Sequence, residues 1–472
     1  MTISGDPVAT IEAAVAAAAA NGGVSDGSKK RPHLLFCSAP ASGHTFPVLQ
    51  IAAEMIQRGF EATYLGGDEF QPHVKRMGAE FVALPPFGAP DFIEQRNKVP
   101  VGHPRFLWDI RNIFIAFVSA HFPVLMQTLE RIRAQRPGQQ VIIVQESFFM
   151  GVLPMVMGAP LPRGYTTRPP VVNVNLIPVG AASIDTGPFG PGLPPDSTES
   201  GRARNALLIG MTFGPGGPLD QLRHEYNAAI KSLGATQEAP PDFLWSWQSS
   251  YDVTLQLCPP SLEYPRSDFP DAVKYAGCLP PKPIDPSFRY PEWWSEITAG
   301  TKKIVAVTQG TVAMEYTSLV IPTFQGLAHR DDIIVVAILG VKGATLPGQV
   351  AVPANTRVID FIPYDALLKH VDVLVANAGY GGFTHGVTNG VPMVLGGDTE
   401  DKPEVAMRGQ WAGVAYNLKT GSPTPQQVAD GVQELLANDR YKNRVMEIKK
   451  ESDDLRALDV VEKQIWEFAE SS

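Results

Sequence analysis

The chain is poor in cysteine, in charge and in long apolar runs. Its three cysteines, Cys37, Cys258 and Cys278, are spread over 472 residues. They lack metal-ligand spacing, which argues against a disulfide framework or a zinc site and suits a reducing compartment. Charged residues make up 18% and the formal net charge is −9, so no basic excess exists to grip a polyanion, and nucleic acid is not the expected partner. No stretch is read as eighteen uncharged apolar residues, so no transmembrane segment is expected. The alanine run at 17–20 is short and follows Asp6 and Glu12 rather than basic residues; residues 1–30 are read as a frayed tail, not a signal peptide. The expectation is a cytoplasmic enzyme.

What is present is a hydrophobic content of 44% over a length too great for one ordinary core, hence two domains. From His33 onward, buried strands (33–38, 61–65, 81–84, 141–146, 171–176, 253–257) alternate with helical patterns and glycine stops. Pro47 is read as presetting the first turn of the helix at 47–58. A second series begins at 303–308 and continues through 333–339 and 356–360. This alternation predicts α/β architecture, with doubly wound, parallel-sheet, Rossmann-like domains. The boundaries expected are 31–278 for the first domain, a Pro-rich linker at 279–300 and 301–455 for the second. Residues 456–472 are a terminal helix.

The densest signal lies at 371–402. An apolar run ends in Asn377-Ala-Gly379-Tyr380-Gly381-Gly382-Phe-Thr-His385, a second run follows Gly390, and Asp398 to Lys402 bring charge. Strand ends and an amide-rich helix N-terminus then share a crevice suited to phosphate. A nicotinamide site is one reading, because Gly379-x-Gly381 follows a strand and Asp398 ends the next. The third glycine of that fingerprint would fall at Thr384, however, so the fit is partial. In the first domain, His44 lies at the end of the first strand and Glu146 at the end of a later one. An imidazole there can accept a proton, and Glu146 either orients it or serves as a helix N-terminal acid. Aromatics at Phe87, Phe92, Phe106, Trp108, Phe114, Phe117 and Phe122 divide between core and an apolar pocket.

Taken in order, these motifs resemble family 1, GT-B-fold glycosyltransferases that use a UDP-sugar, from Arg31 onward. Gly43-His44-x-x-Pro47 is similar to the loop whose histidine is the family's catalytic base, and Glu146 falls where an aspartate orients it. Gly310-Thr311 resembles the diphosphate step, Phe361-Ile362-Pro363 the Trp-x-Pro whose ring stacks on uracil, and 377–382 the donor motif. Gly390-Val-Pro-Met-Val and Asp401-Lys402 resemble the segment that reads sugar hydroxyls. Asn377 replaces the family's histidine, His385 its ribose-binding glutamate and Lys402 its glutamine, which leaves donor choice open.

The resemblance implies an inverting, metal-independent transfer of sugar, with glucose the family-based expectation, to a hydroxyl of a hydrophobic small molecule. The acceptor is phenolic, polyketide, sterol or lipid. No cofactor is implied, since UDP-sugar is a substrate, and a monomer or weak dimer is expected. No Asp-x-Asp cluster lies near these loops. A glycoside hydrolase would need two carboxylates flanking the bond, and the histidine-led loop supplies no such pair. A non-catalytic nucleotide-sugar or lipid binder remains the alternative outside enzymes.

Overall fold

The computed structural model describes residues 31–86, 91–310 and 315–471. The proposed tail, Phe87 and Thr311 lie outside these residues. Two parallel sheets organise the rest. The first has the order β3-β2-β1-β4-β5-β6-β7, built from His33–Cys37, Ala62–Gly66, Glu80–Ala83, Val141–Glu146, Val171–Asn175, Val253–Gln256 and Val273–Tyr275, numbered β1 to β7 along the chain. The second has the order β10-β9-β8-β11-β12-β13, from Lys303–Thr308, Ile333–Ile338, Thr356–Ile359, Val373–Ala376, Met393–Leu395 and Ala415–Asn417, numbered β8 to β13.

The central strands read as continuous apolar runs because helices cover both faces. β1, β4 and β9 are buried at every position. Each sheet reverses its winding beside its first strand: β1 lies between β2 and β4, and β8 between β9 and β11. Ligands bind at such switch points, beyond the strand carboxyl ends. His44 and Glu146 follow β1 and β4, whereas Gly310 and Asn377 follow β8 and β11. The winding alone therefore gathers the sequence-predicted residues into two facing groups.

Three helices shape the first group. Helix α1 spans Ser42–Gln57 and starts five residues ahead of the sequence expectation. Pro47 lies inside it rather than in its first turn, because Thr45 and His44 already donate their amides to Ala41 O. His44 therefore sits on a helical turn, not in a loop. Helix α2 is Phe92–Lys98. Helix α3 runs His103–Gln135, with a π-helical stretch at Ile110–Ile115.

Helix α3 corrects the statement about apolar runs. It contains an 18-residue window of mean hydropathy 1.4, long and apolar enough to cross a membrane by length and composition, and 44% of that window is buried in the fold. Phe117, Val118, Phe122, Leu125 and Leu129 supply core to the first domain. A core helix passes the same test as a membrane helix because both need an apolar face.

In the second domain, helix α4 spans Tyr380–Thr388 and helix α5 Lys402–Trp411. The last helix, α6 (Ala457–Glu470), returns to the first domain, where Val461 and Ile465 join the core around Leu34 and Val144. Arg58 pairs with Glu462 and Asp459 there.

A buried seam holds the two domains together. Arg408 on α5 is 1% exposed; it donates to Glu263 at 2.9 Å, Glu404 at 2.7 Å and Val179 O at 2.8 Å. Its guanidinium lies 4.4 Å from the Tyr264 ring centroid. Glu404 in turn accepts the amides of Gly190 and Gly192. Every charge is matched, which is the condition for burying ions without a large penalty.

Candidate active site

The acceptor side is built on a histidine and a carboxylate. His44 Nδ1–H donates to Glu146 Oε2 at 2.8 Å, with side chains 24% and 1% exposed. Glu146 does not swing freely: its Oε1 accepts from Ala39 N at 2.9 Å and its Oε2 from Phe148 N at 3.0 Å. Two amides and the imidazole thus hold the carboxylate in place. Burial opposes protonation of His44, yet the charge and hydrogen bond of Glu146, followed by the charge of Asp401, hold its pKa above the ordinary 6.5. Because Nδ1 is committed to Glu146, Nε2 is the ring atom left to accept a proton.

Aromatic rings continue from this pair. The His44 ring lies 4.9 Å from that of Phe148, Phe148 lies 4.5 Å from Phe114, and Phe114 lies 5.7 Å from Trp247. Of the aromatics singled out in the sequence, Phe114 connects to the His44 ring through Phe148. Phe122 is buried in the core, and Trp108 packs 5.0 Å from Phe92.

On the opposite side, α4 points its N-terminus into the cleft. A Cβ added at Gly381 or Gly382 would meet nothing within 4 Å, so a ligand can approach the free amides of the first turn closely. The chain enters this helix through Ala378 at φ +57, a left-handed conformation that costs a residue with a Cβ about 1–2 kcal/mol. Gly310, two residues past the end of β8, has φ +74. Gly397 admits no side chain, because a Cβ would come within 2.6 Å of Asn377 O.

The individual donor-side residues divide by role in the structure. Asn377 Nδ2 donates to Gln309 O at 2.7 Å, so its amide staples the loop after β8 to the loop after β11. Tyr380 has a buried side chain, and its hydroxyl accepts from Gln256 Nε2 of the first domain at 3.0 Å. Ile362 is also buried. Phe361 is partly exposed, with Lys342 Nζ 5.4 Å from its centroid.

His385 is 39% exposed and lies 3.3 Å from Asp365, which is itself 8% exposed. The Asp365 carboxylate also accepts from Lys282 N and Asn389 Nδ2. Despite its burial, these hydrogen bonds keep its pKa low. Neither Asp365 nor its ring neighbour Tyr364, 5.4 Å from His385, had been selected from sequence, although both follow Pro363 directly.

Asp401 and Lys402 start α5. Burial raises the Asp401 pKa, against the opposing charges of Lys402 and His44, so this carboxylate lies in the field of His44. Lys402 is paired with Glu400 and Thr399 rather than presenting a free charge. Glu400 also reaches Arg96 of α2 at 3.5 Å, and Arg96 is gripped by Asp109 at 2.7 and 2.8 Å. Nothing in the spacing of Arg96 announced this contact, because it crosses between domains. Among the described residues, no cluster of three His, Cys, Asp or Glu side chains could hold a metal ion.

Comparison with known proteins identifies this architecture. Residues 246–460 match the family model described as UDP-glucoronosyl and UDP-glucosyl transferase. The chain is 42% identical to UDP-glucosyltransferase 1 of Beauveria bassiana (strain ARSEF 2860), covering 92% of this chain and 94% of that protein. It is 34% identical to UDP-glucosyltransferase A1 of Starmerella bombicola, covering 94% and 93%. Among solved structures, the glycotransferase of kitacinnamycin superposes with a TM-score of 0.66 over 92% of this chain and 100% of that one, at 20% identity. The chain belongs to the UDP-glucosyltransferase family and has the GT-B fold, and it is an enzyme that transfers sugar from a UDP-sugar.

Proposed function

We propose that the protein is an inverting transferase that moves glucose from UDP-glucose to a hydroxyl of an apolar small molecule, with His44 as general base and Glu146 as its orienting partner. The observation that carries this reading is the 2.8 Å bond between His44 Nδ1 and a Glu146 carboxylate fixed by two backbone amides. The acceptor oxygen forms a bond to the anomeric carbon as the carbon–diphosphate bond breaks. UDP departs with the electron pair, and the acceptor proton goes to His44 Nε2. One displacement turns an α-linked donor into a β-glycoside.

The free amides at the start of α4 and the loop after β8 favour the charge that develops on UDP. Asp401, in the field of His44, is the carboxylate placed to read sugar hydroxyls, and the partly exposed Phe361 is the ring for the base of the nucleotide. The aromatic wall of Phe148 and Phe114 supports an apolar acceptor, and the names of the relatives support glucose. The reading assigns no bound cofactor or metal, so EDTA should leave the rate unchanged.

His44→Ala provides the decisive test. Loss of general-base help is typically worth about 10²–10⁴-fold, so turnover should fall by that order while UDP affinity measured by calorimetry stays near the wild-type value. Undiminished turnover would overturn the mechanism.

A further inference from the structure

The linker between the domains carries a cation that takes no part in the reaction above. In Pro280-Pro281-Lys282-Pro283 the lysine supplies the only backbone N–H, since proline has none. That amide donates to Asp365 Oδ2 at 2.9 Å, and Asp365 Oδ1 lies 3.3 Å from His385 Nδ1. Just upstream, Pro280 O accepts from Gln50 Nε2 of α1 at 2.8 Å. The run is thus tied to both domains, and its prolines restrict the backbone between the two ties. Lys282 is held at a fixed place between α1 and the Asp365–His385 pair.

Its side chain turns toward the first domain, with Nζ 5.7 Å from the centroid of the Phe46 ring. Phe46 lies on α1 two residues beyond His44. Among the described residues the ammonium donates to no acceptor, and Asp365 is the opposite charge that acts on it, through space rather than by contact. Burial lowers its pKa from the usual lysine value. Yet the side chain is only half-buried, and Nζ is not one of the sealed, unpaired side-chain atoms of the fold. An ammonium that is enclosed by protein, still accessible and not neutralised suits an anion.

The donor side lacks such a charge elsewhere in its motif. Asn377 is neutral and spends its Nδ2 on Gln309 O, and Lys402 is paired with Glu400. We propose that Lys282 grips the phosphate attached to the ribose of the UDP-sugar, supplying from the linker the positive charge that Asn377 does not. This rests on the donor reading above, in which His385 holds the position of the ribose-binding residue; Asp365 joins that histidine to Lys282. A charge-assisted bond from an ammonium to a phosphate oxygen is stronger than a neutral one.

UMP and uridine differ by that one phosphate. Their inhibition constants against UDP-glucose turnover are compared in the full chain and in Lys282→Met, which keeps an apolar stem beside Phe46 and removes the charge. Wild type should prefer UMP, and the variant should lose about 10-fold of that preference, while uridine inhibits both proteins alike. A merely structural lysine would weaken both probes equally, so an unchanged ratio of the two constants overturns the proposal.

A second measurement needs no variant and stands if Lys282→Met does not fold. The wild-type chain is acetylated with acetic anhydride and the lysines are read by peptide mass spectrometry. UMP, and not uridine, should slow the modification of Lys282 several-fold. A Lys282 modified at one rate with and without UMP, or unreactive in the free enzyme, overturns the proposal. Calorimetry of UDP with the wild type reports the donor site separately: UDP that binds while the UMP preference ignores Lys282 counts against this proposal alone.

Discussion

Each domain contributes one histidine paired with a carboxylate that two further donors also hold, and the two pairs differ in length and in exposure. His44 meets Glu146 at 2.8 Å, and Glu146 is 1% exposed and further held by two amides. His385 meets Asp365 at 3.3 Å, its ring is 39% exposed, and Asp365 divides its hydrogen bonds with Lys282 N and Asn389. The first pair is shorter and its ring less exposed, 24% against 39%, which fixes tautomer and orientation, as proton abstraction requires. The second is looser and more open, suited to holding a ligand whose charge does not change in the reaction. Residue type and hydrogen-bond pattern alone would class the pairs together; distance and exposure separate them.

The strongest way to break this comparison is Glu146→Ala. It removes the partner of Nδ1 and leaves the amides of Ala39 and Phe148 without their acceptor, so turnover should fall by about 10²-fold or more while donor KM changes little. Steady-state kinetics with UDP-glucose varied would decide it. Equal losses in kcat and donor affinity would reduce Glu146 to a structural acid.

Glu146→Gln sharpens the same point through pH. A base works deprotonated, so wild-type kcat/KM should decline as pH falls through a His44 pKa lying above 6.5, raised by Glu146 and Asp401 against burial. Glutamine keeps a hydrogen bond but removes the charge. Burial then dominates, and the acidic limb should move to lower pH. A limb that stays in place would assign it to another group.

The first pair was largely legible in the sequence and the second was not, for reasons tied to particular residues. His44 and Glu146 end runs so apolar that both could be placed at strand carboxyl ends, and the winding of a parallel sheet brings β1 and β4 side by side. The alternation of strands showed two sheets for the same reason. Pro47 misled about where α1 begins, since proline inside a helix is uncommon enough to be read as a start signal. The apolar side of α3 was under-read because His121, Pro123 and Gln127 break up the uncharged stretch 112–129, which Arg111 and Glu130 bracket. The hydroxyl contact of Tyr380 was not legible either, because its partner Gln256 lies 124 positions away in sequence. Asp365, Arg96 and Glu400 act through contacts that only the tertiary structure creates.

The smallest expected effect tests the second pair. His385→Ala removes an exposed ring that stands edge-on to Tyr364 and donates to Asp365. Because Asp365 retains Lys282 N and Asn389 Nδ2, the carboxylate should stay in place and the fold should be little disturbed. If His385 helps hold the nucleotide half of the donor, UDP-glucose KM should rise by about 3–10-fold, the worth of one hydrogen bond to a ligand, with kcat preserved. UDP affinity measured by calorimetry should weaken by the same factor, since the sugar is not involved. A loss in kcat at unchanged KM would instead make His385 part of the chemistry, and the distinction between an enclosed base and an open binding pair would fail.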